Sequence, residues 1–183
     1  EFDYGNNHYK TRLTGNHQIE NTVNAIECAK VLGISENAIA KGIENTKMLA
    51  RMEVINENPL IIRDGGHNEG CAKVLSDFIK KHLDGKRIIM VSSMMADKDY
   101  MSYLSIVAPL ADVFISTRVD MLRALPSDEL MKSASAFCDN CHDVPIPSKA
   151  VTAARNILQN EDVLIVCGSF YLAGDIRDNL LNF

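Results

Sequence analysis

Leu60-Ile61-Ile62-Arg63-Asp64-Gly65-Gly66-His67-Asn68-Glu69-Gly70 is the stretch around which the chain is organised. An apolar run ends at an acid, two glycines follow, and an imidazole and an amide come next. Behind them Ala72, Leu75, Phe78, Ile79 and Leu83 recur at helical spacing. The pattern predicts a buried strand, a tight turn and the start of an amphipathic helix. In an α/β sheet such a turn lies at the carboxyl end of a strand, where these folds bind ligands. Glycine lets the backbone approach a ligand or take a positive φ, and a helix start offers unpaired N–H groups to an anion. Asp64, His67 and Asn68 are therefore polar side chains placed where chemistry can happen. The alternative is structural: Asp and Asn as caps and the glycines as a turn.

Outward from this stretch, strand and helix alternate. Met52 to Ile55 alternates like a strand, and Asn56-Glu57-Asn58-Pro59 is a turn. Ile88–Val91, Val113–Ile115 and Val163–Cys167 read as further buried strands, and Val144-Pro145-Ile146-Pro147 as a short edge segment, because proline cannot donate to a ladder. Helices are expected through Met101, Leu104 and Val107, from Pro126, from a cap at Ser148, and through Leu172, Ile176, Leu180 and Leu181. The expected fold is α/β: a doubly wound, mostly parallel Rossmann-like sheet with helices on both faces, plus a short helical N-terminal segment. The strand order is not readable from the pattern. Three polar loops, Asp64–Asn68, Ser92–Asp99 and Gly168-Ser169, follow strands and converge on one edge.

Residues 1–50 carry two short helices. One runs through Val23, Ile26, Ala29 and Leu32 to Gly33, with Asn21 in its first turn; the other starts at Ser35. Their apolar surface is too small for a core of its own. The segment reads as the tail of another domain, joined near Arg51 to a domain of residues 51–183. The chain begins without methionine, and is expected to be cut from a longer protein.

Other classes are disfavoured. A net charge of −5 leaves no footprint for nucleic acid or an acidic membrane, and no apolar run approaches a membrane span. Cys28, Cys71, Cys138, Cys141 and Cys167 read as reduced thiols of a cytoplasmic protein. Cys138-Asp139-Asn140-Cys141-His142 matches a haem-attachment pattern, but without a leader it reads as a polar loop, and no second cysteine pair completes a metal site. Neither a Gly-x-Gly-x-x-Gly fingerprint nor a P-loop occurs. Lys98, between two acids, reads as a solvated loop cation. His67 lies outside any apolar periodic run and reads as a ligand contact. Ser169 fits either a helix cap or an anion contact.

Five stretches together resemble the folylpolyglutamate synthases of the Mur ligase group. Leu13-Thr14-Gly15-Asn16-His17-Gln18 with Asn21 is similar to their L-x-G-x-H-Q-x-x-N, and Arg51 with Glu53-Val54 to their G-R-x-E-V. Asp64–Asn68 is close to D-G-A-H-N, Asp97-Lys98-Asp99 matches D-K-D, and Gly168-Ser169-Phe170-Tyr171-Leu172 is similar to G-S-L-Y-L. The sequence departs in having Ala50 for Gly, Met48-Leu49 for Trp-Pro, and Gly66 for Ala.

The resemblance implies an ATP-dependent ligase that adds L-glutamate to a folate through an acyl phosphate, and leaves open whether it also acts as a dihydrofolate synthase. It implies that Asn21, Arg51 and Asp64 contact the nucleotide, that His67, Ser169 and Tyr171 place glutamate, and that His67 and Lys98 serve catalysis. ATP and Mg2+ are the implied cofactors, with the metal ligands, the P-loop and the missing N-terminal and central domains upstream. A monomer working on folate and glutamate is implied, its site assembling as the C-terminal domain closes near Arg51. Two rivals stand beside it: a Mur-type ligase acting on a cell-wall precursor, and a non-catalytic Rossmann-like binding module.

Overall fold

A computed structural model of the chain describes residues 1–13 and 15–181. Thr14, in the Leu13–Gln18 motif, lies outside the described residues. The chain divides into two compact units, Glu1–Leu49 and Ala50–Phe183.

The first unit is a hairpin of β1 (Phe2–Tyr4) and β2 (Asn7–Tyr9), followed by α1 (Asn16–Val31) and α2 (Glu36–Asn45). Tyr9, Ile26 and Ile39 form its small core, and the Tyr9 hydroxyl donates to Glu36 Oε2 at 2.9 Å. Helix α1 begins at Asn16, because Gly15 with φ 102° turns the chain there. Asn21 therefore sits in the second turn rather than the first. Leu32 lies past the helix end and is 76% exposed rather than on its apolar face. Ser35 occupies the N-cap position of α2, but its side chain makes no capping bond.

The second unit is built on a six-stranded sheet in the order β3-β4-β8-β5-β6-β7. Its strands are β3 (Glu53–Glu57), β4 (Leu60–Arg63), β5 (Ile88–Ser92), β6 (Val113–Ser116), β7 (Cys141–Asp143) and β8 (Val163–Cys167). Only β3 is antiparallel; the others run parallel. Strands β5, β6 and β8 are buried throughout, as continuous apolar runs between two helical layers must be. Helices α3 (Glu69–His82), α4 (Tyr100–Val107) and α5 (Ser127–Ala134) supply Leu75, Leu104 and Leu130 to one face. Helices α6 (Pro147–Ile157), α7 (Phe170–Asp175) and α8 (Arg177–Leu181) cover the other with Ala150, Leu172 and Leu180.

Three local expectations are corrected. The edge strand is Cys141–Asp143, not Val144–Pro147: Cys138 packs into the core as a small hydrophobe and leads into it. Helix α6 opens with Pro147 in its first turn and has no side-chain cap, so Ser148 is not its cap. The last helical stretch is two helices, α7 and α8, meeting at Ile176.

The strand order locates the site. The chain leaves β4 and β5 through α3 and α4 on one face, and leaves β8 through α7 on the other. Strand β8 lies between β4 and β5, so their carboxyl ends flank the crevices where the winding reverses, the ligand position in open α/β sheets.

Candidate functional site

The loop after β4 is sewn to residues 50–52. Asp64 is 6% exposed; its Oδ2 accepts the Met52 N–H at 2.9 Å and its Oδ1 the Gly66 N–H at 2.7 Å. The Gly65 N–H donates to the Ala50 carbonyl at 2.7 Å. Glu53 Oε2 takes the Ala50 N–H at 2.7 Å and also pairs with Arg63 Nη2 at 2.6 Å. Arg63, 2% exposed, extends its third contact to the Ala173 carbonyl at 2.7 Å. These bonds hold Ala50 at φ 53° and Met52 at φ 48°, left-handed values that residues with a Cβ rarely take. Position 50 is where the resembling motif carries glycine, and the backbone here shows why.

Arg51, between those two residues, is the cation of the site. Its guanidinium lies over the Phe170 ring, 4.4 Å from the centroid, with Nη1 3.9 Å from Cys71 Sγ. Among the described residues it has no carboxylate partner. His67 meets the same ring edge-on at 6.1 Å. Its Nδ1 lies 3.1 Å from the Gly65 carbonyl, which only accepts, so Nδ1 carries the proton and Nε2 is left with the lone pair in the neutral ring. Asn68 is a helix cap: its Oδ1 takes the Cys71 N–H at 2.9 Å, at the start of the 14-residue α3.

The loop after β8 completes this edge. Ser169 is 3% exposed, and its Oγ accepts from the Tyr171 N–H at 3.1 Å and the Leu172 N–H at 3.5 Å, which caps α7 and leaves its hydroxyl proton to donate. Gly168 has φ 93°, and a Cβ there would come within 2.6 Å of Ser92 Oγ. Tyr171 is exposed and its hydroxyl accepts from Arg123 Nη2 at 3.2 Å, while Arg123 Nη1 lies 3.1 Å from Asp97 Oδ2. The Tyr171 hydroxyl and the Asp97 carboxylate both favour the charged form of Arg123. Lys98 follows Asp97, but its ammonium makes no ion pair among the described residues.

Phe170 thus joins Arg51 and His67, and Asp64 and Ser169 fix the backbone around them. Asn21 belongs to the first unit, where its Nδ2 donates to Gln18 Oε1 at 3.3 Å. Both line a cavity of about 280 Å³ together with Thr11, Leu13, Thr22 and Ile43. Two residues escaped the sequence reading. Arg123 sits in a fourth strand-end loop hidden among Val119, Met121, Leu122 and Leu125, and Phe170 reads as ordinary helix filling. Among the described residues no three His, Cys, Asp or Glu side chains gather to hold a metal ion, and no helix is long and apolar enough to cross a membrane.

The chain as a whole is similar to known proteins. The dihydrofolate synthase/folylpolyglutamate synthase of Bacillus subtilis is 25% identical over 177 residues, covering 93% of this chain and 41% of the relative. The Escherichia coli protein of the same name is 27% identical over 150 residues, covering 82% of this chain and 35% of the relative. The chain thus spans less than half the length of these relatives. The structure of E. coli FolC in complex with DHPP and ADP superposes with a TM-score of 0.83 at 24% identity, covering 94% of this chain and 40% of that one. Folylpolyglutamate synthase from Thermotoga maritima gives 0.74 at 28% identity, covering 93% and 40%. Residues 50–170, from the left-handed Ala50 to the Phe170 platform, match the family of the Mur ligase glutamate ligase domain, to which this chain belongs.

Proposed function

We propose that these residues are the C-terminal part of an ATP-dependent ligase that adds L-glutamate to a folate, with residues 1–50 the tail of its central domain and residues 51–183 its C-terminal domain. The observation that carries this reading is Arg51. A half-buried guanidinium is held in place with no counter-ion among the described residues, beside the start of α3, at the carboxyl edge of the sheet. Such a cation fits a phosphate, which its planar fork binds through charge-assisted hydrogen bonds.

ATP is the phosphoryl donor that activates the folate carboxylate. Arg51 contacts its phosphates; Asp64 fixes the backbone after it at Met52, and Glu53 with the Gly65 N–H fixes it before, at Ala50. Asn21, in the first unit, is a further nucleotide contact that the resemblance implies. Mg2+ is held by residues upstream; no metal-binding cluster occurs among the described residues of this chain. Glutamate lies along the same strand-end edge. Arg123 and Tyr171 bind its carboxylates, Ser169 donates its hydroxyl proton, and Lys98 adds positive charge. His67 Nε2 accepts the proton that the amine sheds as its nitrogen bonds to the activated carbonyl and phosphate departs. The protein works in the cytoplasm as a monomer.

The test is a ligase assay on the full-length gene product with ATP, a folate and glutamate. Glutamate-dependent ADP release is expected, and His67→Ala should depress it by about 10²-fold or more. The 183-residue piece alone should be silent, since it carries no P-loop. A wild type that releases no ADP with any folate would sink the reading.

A further inference from the structure

We propose that Phe170 is a positioning residue for Arg51, an aromatic platform that holds the guanidinium at the carboxyl edge of the sheet. The inference rests on the reading of Arg51 as a nucleotide contact, and adds a residue that the resembling motif does not carry, since that motif has leucine at this place. A leucine would fill the space but offer no π face.

Five observations point to the platform. The Arg51 guanidinium carbon lies 4.4 Å from the ring centroid, within the range of a cation–π contact. The ring is seated by design of the neighbouring loop: a Cβ on Gly65 would fall 2.3 Å from Phe170 Cδ1, so only glycine admits it. The base of the ring is rigid, because Phe170 directly follows Ser169, whose Oγ caps the next two N–H groups. His67, edge-on at 6.1 Å and 66°, braces the ring from another side. Phe170 remains 40% exposed, more than core packing alone requires of such a large apolar side chain. With no carboxylate partner among the described residues, the long Arg51 side chain is oriented by this ring, with only a sulfur contact at Cys71 beside it. A phosphate then meets a cation already in place, and the ordering cost of binding falls.

The experiment has two arms. In the 183-residue chain, NMR should show the Arg51 δ-methylene and Nε protons shielded by the ring current. Phe170→Leu should abolish that shielding and Phe170→Tyr should keep it. In the full-length gene product, Phe170→Leu should weaken ADP binding by about threefold to tenfold, and Phe170→Tyr should restore it. Amide spectra confirm that each variant is folded. Shielding unchanged in Phe170→Leu overturns the platform, and shielding lost with ADP affinity unaltered overturns its role in binding. If the wild-type product binds no ADP, the nucleotide reading fails, and the shielding arm alone decides whether Phe170 holds Arg51.

Discussion

Glu53→Ala should be among the most damaging single changes in the second unit, although Glu53 is only a half-buried residue on an edge strand. Arg63 is 2% exposed, and its Nε and Nη2 bond Glu53 Oε2 at 3.1 and 2.6 Å. Removing the acid leaves a buried guanidinium with only the Ala173 carbonyl, a situation that costs about 3–5 kcal/mol. The same oxygen accepts the Ala50 N–H at 2.7 Å, and its loss adds about 1 kcal/mol. The total is a large share of the roughly 5–15 kcal/mol that holds an ordinary domain together. Urea denaturation followed by circular dichroism reads the loss directly, and melting should fall by roughly 8–24 °C. Glu53→Gln, which keeps an acceptor, should lose less. The pair Glu53→Leu with Arg63→Met should recover part of the loss, since the damage lies in stranding a charge rather than in losing an ion pair. If Glu53→Ala stays within about 1 kcal/mol of wild type, Arg63 is not buried as described and the account of the loop is wrong.

Three other outcomes are expected. Gly168→Ala combines a left-handed φ of 93° with a Cβ 2.6 Å from Ser92 Oγ, and should cost about 2–4 kcal/mol in denaturant melts; a near-neutral change would show that the β8 loop is not packed against β5. Cys28 is exposed and should react first with a thiol reagent at pH 8, whereas Cys167, pushed up to about 12 by burial, and Cys141, pushed up to about 11, should wait for unfolding; fast labelling of Cys167 in the native protein contradicts the core. The hydrogen bond to Asp3 raises the His8 pKa above its usual 6.5, so any support it lends the hairpin is complete below pH 6.5 and fades as pH rises through the folded value; NMR titration should show the shift in wild type and not in Asp3→Asn.

The sheet was legible because its central strands are unbroken apolar runs. Ile88–Val91 and Val163–Cys167 read as buried strands for the same reason that they are buried, namely two helical layers above and below. The order of those strands was not legible, because adjacency between β4, β8 and β5 is set by helix packing across the chain and leaves no local mark. Strand β7 was missed because Cys141-His142-Asp143 carries no β-branched residue, and its pairing with β6 supplies what propensity does not. The burial of Arg63 was not legible, since only the partner at Glu53, ten positions earlier, makes it tolerable. At the candidate site, Asp64, His67 and Ser169 stood out as polar residues beside glycines at strand ends. Their contacts were not: Asp64 spends both oxygens on backbone N–H groups, and the platform under Arg51 comes from Phe170, far along the chain.

Arg51 is, in this reading, a preset cation waiting for the nucleotide. The measurement that meets it most directly is the steady-state KM for ATP of the full-length gene product bearing Arg51→Lys, with the KM values for folate and glutamate read alongside. Lysine keeps the charge but loses the planar fork and its seat on Phe170. The ATP KM should rise by about tenfold with the other two little changed. An unchanged ATP KM, or an effect confined to glutamate, would contradict it.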